Sequence, residues 1–327
     1  MDSNMNIIVA GAGQIGSRHL QSLAVSGLPL HIYIIEPSAQ SWATAAERIA
    51  QVMPAGSKIT LSYFETPGQL NITEADVAVI ATNADVRPAT LKEITSRVKI
   101  RFVILEKVVY QSLSVFREQM AWLEEKGVKA WVNCPRRIYP FYLDLKESLA
   151  GDAEISLSVT GSGWGLGCNT LHFIDLFAFL TGVPECKVDY SALGDKLSES
   201  KRAGFTEFTG RAAFSNSRGW LHLSSSAEGA LPVQIEITSP SRRLIISESA
   251  RRVITIPAGS AEAVINSHDF PMQSRLTSKV VSDLLDTGSC GLTPLSESYI
   301  HHSVMLPLFN DRIARIRGFH TDICPIT

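Results

Sequence analysis

The segment Gly11-Ala12-Gly13-Gln14-Ile15-Gly16 restricts most what this chain can fold into. It follows the apolar run Asn6–Ala10, which reads as a fully buried strand, and precedes the helical pattern Ser17–Val25. A G-x-G-x-x-G alone is weak; between a strand and a helix each glycine has a task. Gly11 permits a tight turn, Gly13 lets the backbone approach a pyrophosphate, and Gly16 lets the helix pack closely on the strand. The helix N-terminus offers N–H groups and partial positive charge to the phosphates. Leu30–Ile35 reads as a second strand, and Glu36 ends it at about 20 residues beyond the last glycine. A carboxylate there accepts hydrogen bonds from ribose hydroxyls and repels a 2′-phosphate. The motif therefore predicts an NAD site, with NADP disfavoured.

The rest of the first third repeats the alternation. Strands read at Ile59–Phe64, Asp76–Ala81, Phe102–Leu105 and Val128–Val132, and helices at Ser41–Gln51, Pro88–Ser96 and Ser112–Lys126. Continuous Val/Ile/Leu strands alternating with helices imply a parallel sheet covered on both faces. After residue 132 the pattern changes. Pro140 opens a helix that Gly151 closes, Ile155–Thr160 alternates as a half-exposed strand, and Leu171–Leu180 is helical. Six alternating runs between Lys187 and Ile256 read as an antiparallel sheet with one polar face, and helices return at Gln273–Asp286 and Leu295–Arg317. The expected fold is α/β plus α+β. A doubly wound Rossmann domain spans residues 1–132, and a substrate and oligomerisation domain on a mostly antiparallel open-faced sheet spans 133–327. The last helix, about 295–317, is free to pack back on the first domain.

Composition narrows the function. Thirty Lys+Arg against 32 Asp+Glu leave a net charge of −2, without the basic surplus that nucleic-acid binding needs, so no nucleic-acid partner is expected. No apolar stretch is long enough to span a membrane, and the opening residues carry an acid where a secretory signal carries base. Five cysteines at irregular spacing include no C-x-x-C; they read as reduced thiols in a cytoplasm rather than as disulfides or a zinc site. His19, His31, His222, His268 and the pair His301-His302 are scattered without a third ligand, so no metal is expected.

Four blocks in order resemble the Gfo/Idh/MocA oxidoreductases, the family of glucose–fructose oxidoreductase and inositol dehydrogenase. They are Gly11–Leu23 (GAGQIGSRHLQSL); Glu106-Lys107, like the family's E-K-P; Arg136–Pro140 (RRIYP), like its R-R-F-x-P; and Gly167–Asp175 (GCNTLHFID), like its G-x-H-x-x-D. The blocks cover the first half well, and the second half agrees in architecture. Four features depart from the pattern. Val108 replaces the proline after Lys107, and Arg87 stands where a histidine is common. Val98–Arg101 replaces G-K-H-V, and Cys168 stands where an aspartate usually lies four residues before the histidine.

The resemblance implies an NAD-dependent dehydrogenase acting on a CH–OH group of a sugar, cyclitol or sugar derivative, phosphorylated and nucleotide-linked forms included. It extends the cofactor contacts from Gly11, Gly13, Gly16 and Glu36 to Gln14, Ile15, Thr82, Asn83 and Glu106. It makes Lys107 and His172 the catalytic pair. Lys107 ends a strand, at the edge where such sheets bind ligands, and His172 titrates near neutrality, as a general acid/base should. Arg136, Trp164 and Asn169 are candidate substrate contacts, by anion clamping, ring stacking and hydrogen bonding. Asp175 reads as a helix-stabilising charge or an anchor for His172, Cys168 as a packing residue. A homodimer or homotetramer is implied. Two other readings stay open: a redox-neutral enzyme with tightly held NAD, and a non-catalytic dinucleotide-binding regulator, which Cys168 favours.

Overall fold

A computed structural model describes residues 4–327. In chain order the elements are β1 (Met5–Ala10), α1 (Gly16–Ala24), β2 (Leu30–Ile35), α2 (Ala39–Ala50), β3 (Thr60–Phe64), β4 (Glu74–Ile80), α3 (Arg87–Arg97), β5 (Lys99–Leu105), α4 (Leu113–Glu125) and β6 (Lys129–Val132). There follow α5 (Pro140–Ser148), β7 (Ile155–Ser162), α6 (Leu166–Thr181), β8 (Lys187–Leu193), β9 (Ser198–Glu199), β10 (Thr206–Glu207), β11 (Gly210–Asn216) and β12 (Gly219–Ser226). The chain ends with β13 (Gln234–Thr238), β14 (Arg242–Ser247), β15 (Arg252–Pro257), β16 (Val264–Ser267), α7 (Thr277–Thr287), β17 (Thr293–Pro294) and α8 (Leu295–Arg317). No helix among the described residues is long and apolar enough to cross a membrane.

Two units form. Of the described residues, the first comprises 4–110, 114–135 and 271–295. Its strands run β3-β2-β1-β4-β5-β6, with β17 added beside β6; this is the doubly wound order whose direction reverses between β1 and β4. All pairings but β17·β6 are parallel. The strands are apolar because both faces are covered: Ile7, Ile8, Val9, Val77, Val79, Val103 and Leu105 are all buried. Each such side chain stabilises the fold by roughly 1.5–3 kcal/mol. The register aligns the strand ends in one row, Phe64, Ile35, Ala10, Ile80, Leu105 and Val132. The residues that follow, Glu36, Gly11, Ala81, Glu106 and Asn133, therefore stand along a single edge. Residues 271–295, read from sequence as part of the second domain, group here because α7 packs on α1 and Thr293 pairs with Val132.

The second unit comprises residues 111–113, 136–270 and 296–327. Its eight-stranded sheet runs β16-β15-β14-β13-β7-β12-β11-β8 and is antiparallel except where β7 meets β12. One face, with Leu157, Val159, Leu221, Leu223, Ile235 and Ile237, is buried, and α6 lies against β7 and β12. The alternate residues, Ser156, Ser158, Thr160, Trp220 and His222, belong to the other face. α8 groups with this unit, spanning the residues its sequence pattern marks, with Pro307 inside it.

A charge cluster lies within the second unit. Arg137 donates to Asp175 at 2.9 Å and to Glu297 at 2.5 Å, and His301 Nδ1 lies 3.6 Å from Asp175. Burial and then the Arg137 charge push His301 down to about 4. The unfolded chain takes up this proton as pH falls below ~6.5, whereas the folded chain does not until about pH 4. The stability this histidine contributes is therefore present above that window and lost as pH falls through it. We expect His301→Gln to remove the loss: between pH 7 and 4 the wild type should lose about 3 kcal/mol more than the variant in urea titrations. A pH-independent difference between the two would contradict this.

Candidate functional site

The first half of the site is the loop between β1 and α1. Gly11 has φ +88°, and a Cβ there would come 2.9 Å from the backbone of Ala81 and Thr82. A Cβ on Gly16 would lie inside the carbonyl of Gly11. Gly13 differs: a Cβ there would meet nothing within 4 Å. The N–H groups of Gly13, Gln14 and Ile15 have no acceptor among the described residues, whereas Gly11 N–H donates to Ile35 and Ala12 N–H to Glu36. Three unspent donors around open space at a helix N-terminus form a cradle for a pyrophosphate.

Glu36 closes one side of this cradle. Its Oε2 accepts from Ala12 N–H at 2.7 Å and its Oε1 from Ser38 N–H at 2.9 Å. Each oxygen keeps a second lone pair for a ribose hydroxyl. Beyond it is a cleft of about 540 Å³ lined by Glu36, Pro37, Ala39, Trp42, Tyr63 and Phe64 among others. A cleft of mixed polarity with two large aromatic side chains, beside a carboxylate placed for a ribose, suits a purine base. Sequence reading missed Trp42 and Tyr63, which lie on separate elements and converge through the order β1-β2-β3.

On the other side of the cradle stand the ends of β4 and β5. Thr82 is half-buried, and its Oγ1 is buried without a hydrogen-bond partner; Asn83 is exposed. The orphaned hydroxyl, the open donors and the space above Gly13 together fit a dinucleotide. Glu106 is buried and bonded to His19 and Asn133. Burial opposes its charge, but the His19 hydrogen bond and the other partners outweigh burial and hold its carboxyl below the ordinary range. Glu106 thus belongs to a buried network. Lys107 is half-buried, the only residue from Phe102 to Tyr110 that is not fully buried, and the peptide after it is cis. Arg87, fully buried, donates to the carbonyls of Thr82, Val108 and Val109. It ties the loop after β4 to the backbone that follows Lys107.

In the second unit the candidate residues converge on α6. This helix begins at Leu166, so His172 lies on its second turn, not at its start as the sequence suggests. The reason is non-local. Gly165 enters with φ +78°, and the Glu207 carboxylate caps the helix from β10, accepting from Gly167 N–H at 2.8 Å and Cys168 N–H at 3.1 Å. Of the sixteen residues of α6 only Cys168, Asn169, His172 and Phe179 are not fully buried. The first three share one helical face, at i, i+1 and i+4, and Phe179 continues it two turns further on. Asn169 Nδ2 donates to Trp164 O at 2.7 Å, and Trp164 Nε1 donates to Ser224 O at 2.9 Å. The Trp164 ring meets Phe173 edge-on at 5.5 Å.

The two arginines hold carboxylates of this chain. Arg136 forms a bidentate pair with Glu248 at 2.8 and 2.7 Å, and Tyr142 O–H donates to the same carboxylate. Burial works against the Arg136 charge, but Glu248 outweighs it. An anionic substrate group would have to displace that pair. Asp175, fully buried, is engaged by Arg137; its position is fixed by that ion pair rather than by a helix terminus.

No family model and no curated protein matches the chain. Solved structures do match. UDP-N-acetylglucosamine 3-dehydrogenase GnnA from Acidithiobacillus ferrooxidans superposes with a TM-score of 0.70 at 12% identity, covering 95% of this chain and 98% of its own. The 3-ketoreductase KijD10 from Actinomadura kijaniata, solved with TDP-benzene and NADP, gives 0.71 at 14% identity, covering 93% and 96%. Gal80p from Saccharomyces cerevisiae, solved as a super-repressor mutant, gives 0.67 at 13%, covering 98% and 97%. The chain has the two-domain fold of these Gfo/Idh/MocA-type structures over nearly its whole length.

The glycine geometry separates folding from binding. Gly13→Ala should leave the melting temperature unchanged, because its methyl group meets no protein atom, and should weaken dinucleotide binding tenfold or more, ~1.4 kcal/mol, by filling the cradle. Gly16→Ala should lower the melting temperature sharply by forcing α1 off β1. Calorimetric melting with dinucleotide titration checks both; equal effects of the two variants on stability would contradict this assignment.

Proposed function

We propose that the chain is an NAD-dependent oxidoreductase that transfers a hydride between nicotinamide and a hydroxyl carbon of a sugar, cyclitol or nucleotide-linked sugar. The observation that carries this reading is the carboxyl edge of the first sheet. An open phosphate cradle is flanked on the β2 side by Glu36 and on the β4–β5 side by Thr82, Glu106 and Lys107. The fold shared with a UDP-N-acetylglucosamine dehydrogenase and a 3-ketoreductase supports the sugar-derivative class, although fold alone does not decide function.

In this reading the loop Gly11–Gly16 holds the pyrophosphate and Glu36 the adenosine ribose. The nicotinamide, when bound, supplies the hydride acceptor or donor. Lys107 holds the reacting oxygen with its ammonium group, and His172 exchanges the hydroxyl proton at its imidazole. No carboxylate stands at position 168, so the proton passes without one from that helix position. Asn169 and Trp164 orient the substrate beside His172.

The regulator alternative keeps one supporting observation, Cys168 in the accessible α6 patch, and Gal80p has the same fold. Lys107→Met and His172→Asn distinguish the readings. On a substrate found by screening polyols and sugar nucleotides for cofactor absorbance change, each should lower turnover by ~10²–10⁴-fold with dinucleotide affinity intact. Near-full turnover in both variants, or no hydride transfer with any substrate, would favour the regulator.

Cofactor choice is a separate expectation. Glu36 repels a 2′-phosphate, so NAD should bind at least tenfold more tightly than NADP, and Glu36→Ala should narrow the gap. Equal or tighter binding of NADP by the wild type would defeat it.

We also propose that the outer face of the second sheet mediates self-association. Tyr190, Trp220 and Ile265 on that sheet are 56%, 42% and 62% exposed. Two- and four-fold assemblies are the common symmetric solutions. Light scattering at micromolar concentration should give a dimer or tetramer, and a strictly monomeric mass would contradict it.

A further inference from the structure

Glu106 sits in a closed ring of side-chain hydrogen bonds drawn from four other segments. Its Oε1 is 2.9 Å from His19 Nε2 and 2.5 Å from Asn133 Nδ2. Asn133 Nδ2 also donates to Gln273 Oε1 at 2.9 Å, and Gln273 Nε2 donates to Thr277 Oγ1 at 3.0 Å. Thr277 Oγ1 in turn lies 2.8 Å from His19 Nδ1.

Both Asn133 amide hydrogens are spent, one on Glu106 and one on Gln273. Thr277 Oγ1 accepts from Gln273 and lies within hydrogen-bond distance of His19 Nδ1, which Gln273 Nε2 also approaches at 3.4 Å. His19 Nε2 is thereby aimed at Glu106, whose partners outweigh burial and hold its carboxyl below the ordinary range. Its Oε2 accepts from no described residue, although the side chain is only 8% exposed. The ionisable groups acting on it are His19 from α1 and Lys107 from its own strand end.

The direction of a bound dinucleotide follows from the sheet. The pyrophosphate cradle is at β1, and Glu36 with the aromatic cleft places adenosine over β2 and β3. The second nucleoside must run the other way, over the ends of β4 and β5, where Glu106 stands.

We propose that His19, Asn133, Gln273 and Thr277 are positioning residues that hold Glu106 as a fixed buried anion, which favours the oxidised, cationic nicotinamide over the neutral reduced ring. The proposal rests on the NAD reading above and adds that the first unit is biased toward one redox form of the cofactor. A fixed charge away from water acts more strongly than one in solvent.

The test is the ratio of NAD⁺ to NADH affinity, each measured by isothermal titration with the full chain. Glu106→Gln keeps shape and removes the charge; the ratio should fall about tenfold toward NADH. Thr277→Val removes the hydroxyl that orients the His19 ring; the ratio should shift the same way by a smaller factor. Loosening of the fold weakens both forms together and leaves the ratio unchanged. The more conservative Thr277→Val carries the test if Glu106→Gln does not fold. A ratio within twofold of wild type in every folded variant overturns the proposal. Failure of the wild type to bind either form overturns the NAD reading and this inference with it.

Discussion

The contact on which the first unit depends is the approach of α1 to β1. Position 16 has no room for a side chain because the Gly11 carbonyl occupies the Cβ site. With α1 pressed there, three consequences follow. Its N-terminus leaves three N–H groups facing open space. His19, one turn along, reaches the end of β5 to bond Glu106. Ser22, a further turn along, meets Ser278 at the start of α7. A shift of α1 by one ångström would disturb the phosphate cradle, the buried carboxylate and the docking of α7 together, since packed interiors transmit small displacements.

The two units manage buried charge differently. In the first, a single carboxylate is held in a ring of side chains that contains no arginine. In the second, arginines and carboxylates are matched within the chain: Arg136 with Glu248, and Arg137 with Asp175 and Glu297. Both arginines also lie over phenylalanine rings, Phe173 and Phe179. Matched pairs cost desolvation and return it only with good geometry, so removing one partner harms more than the pair helps. A matched pair largely cancels its own field, so Arg136 and Arg137 chiefly fix residues 135–138 and α6 in place.

Where sequence reading succeeded, the cause was local. Strand–glycine–helix order, the position of Glu36 and the alternation of apolar runs are properties of neighbouring residues, and they sufficed for the doubly wound sheet and the antiparallel second sheet. Where it fell short, the determinant lay far along the chain. The start of α6 moved from Leu171 to Leu166 because its cap is Glu207, forty residues away. Residues 271–295 joined the first unit because Thr293 pairs with Val132. His19 reads in sequence as one scattered histidine; only the fold brings Glu106, Asn133 and Thr277 to it. A histidine among the buried residues of α1 was the one available signal, and it does not specify a partner.

The same two-domain fold is shared by solved structures named as a dehydrogenase, a 3-ketoreductase and a super-repressor mutant of Gal80p. Fold alone therefore does not decide function. What distinguishes a catalyst within such a fold is whether acid–base groups occupy the accessible positions. In this chain the first unit leaves Lys107 half-buried amid buried neighbours, and α6 buries all but a small patch that includes His172. Phe179, seven residues on from His172, lies on the same face, so the accessible stripe of α6 sets an apolar ring beside a titratable one. A polar ring that keeps part of its surface in solvent escapes the desolvation cost that full burial would impose, which is why His172 can sit on a helix that is otherwise almost wholly buried.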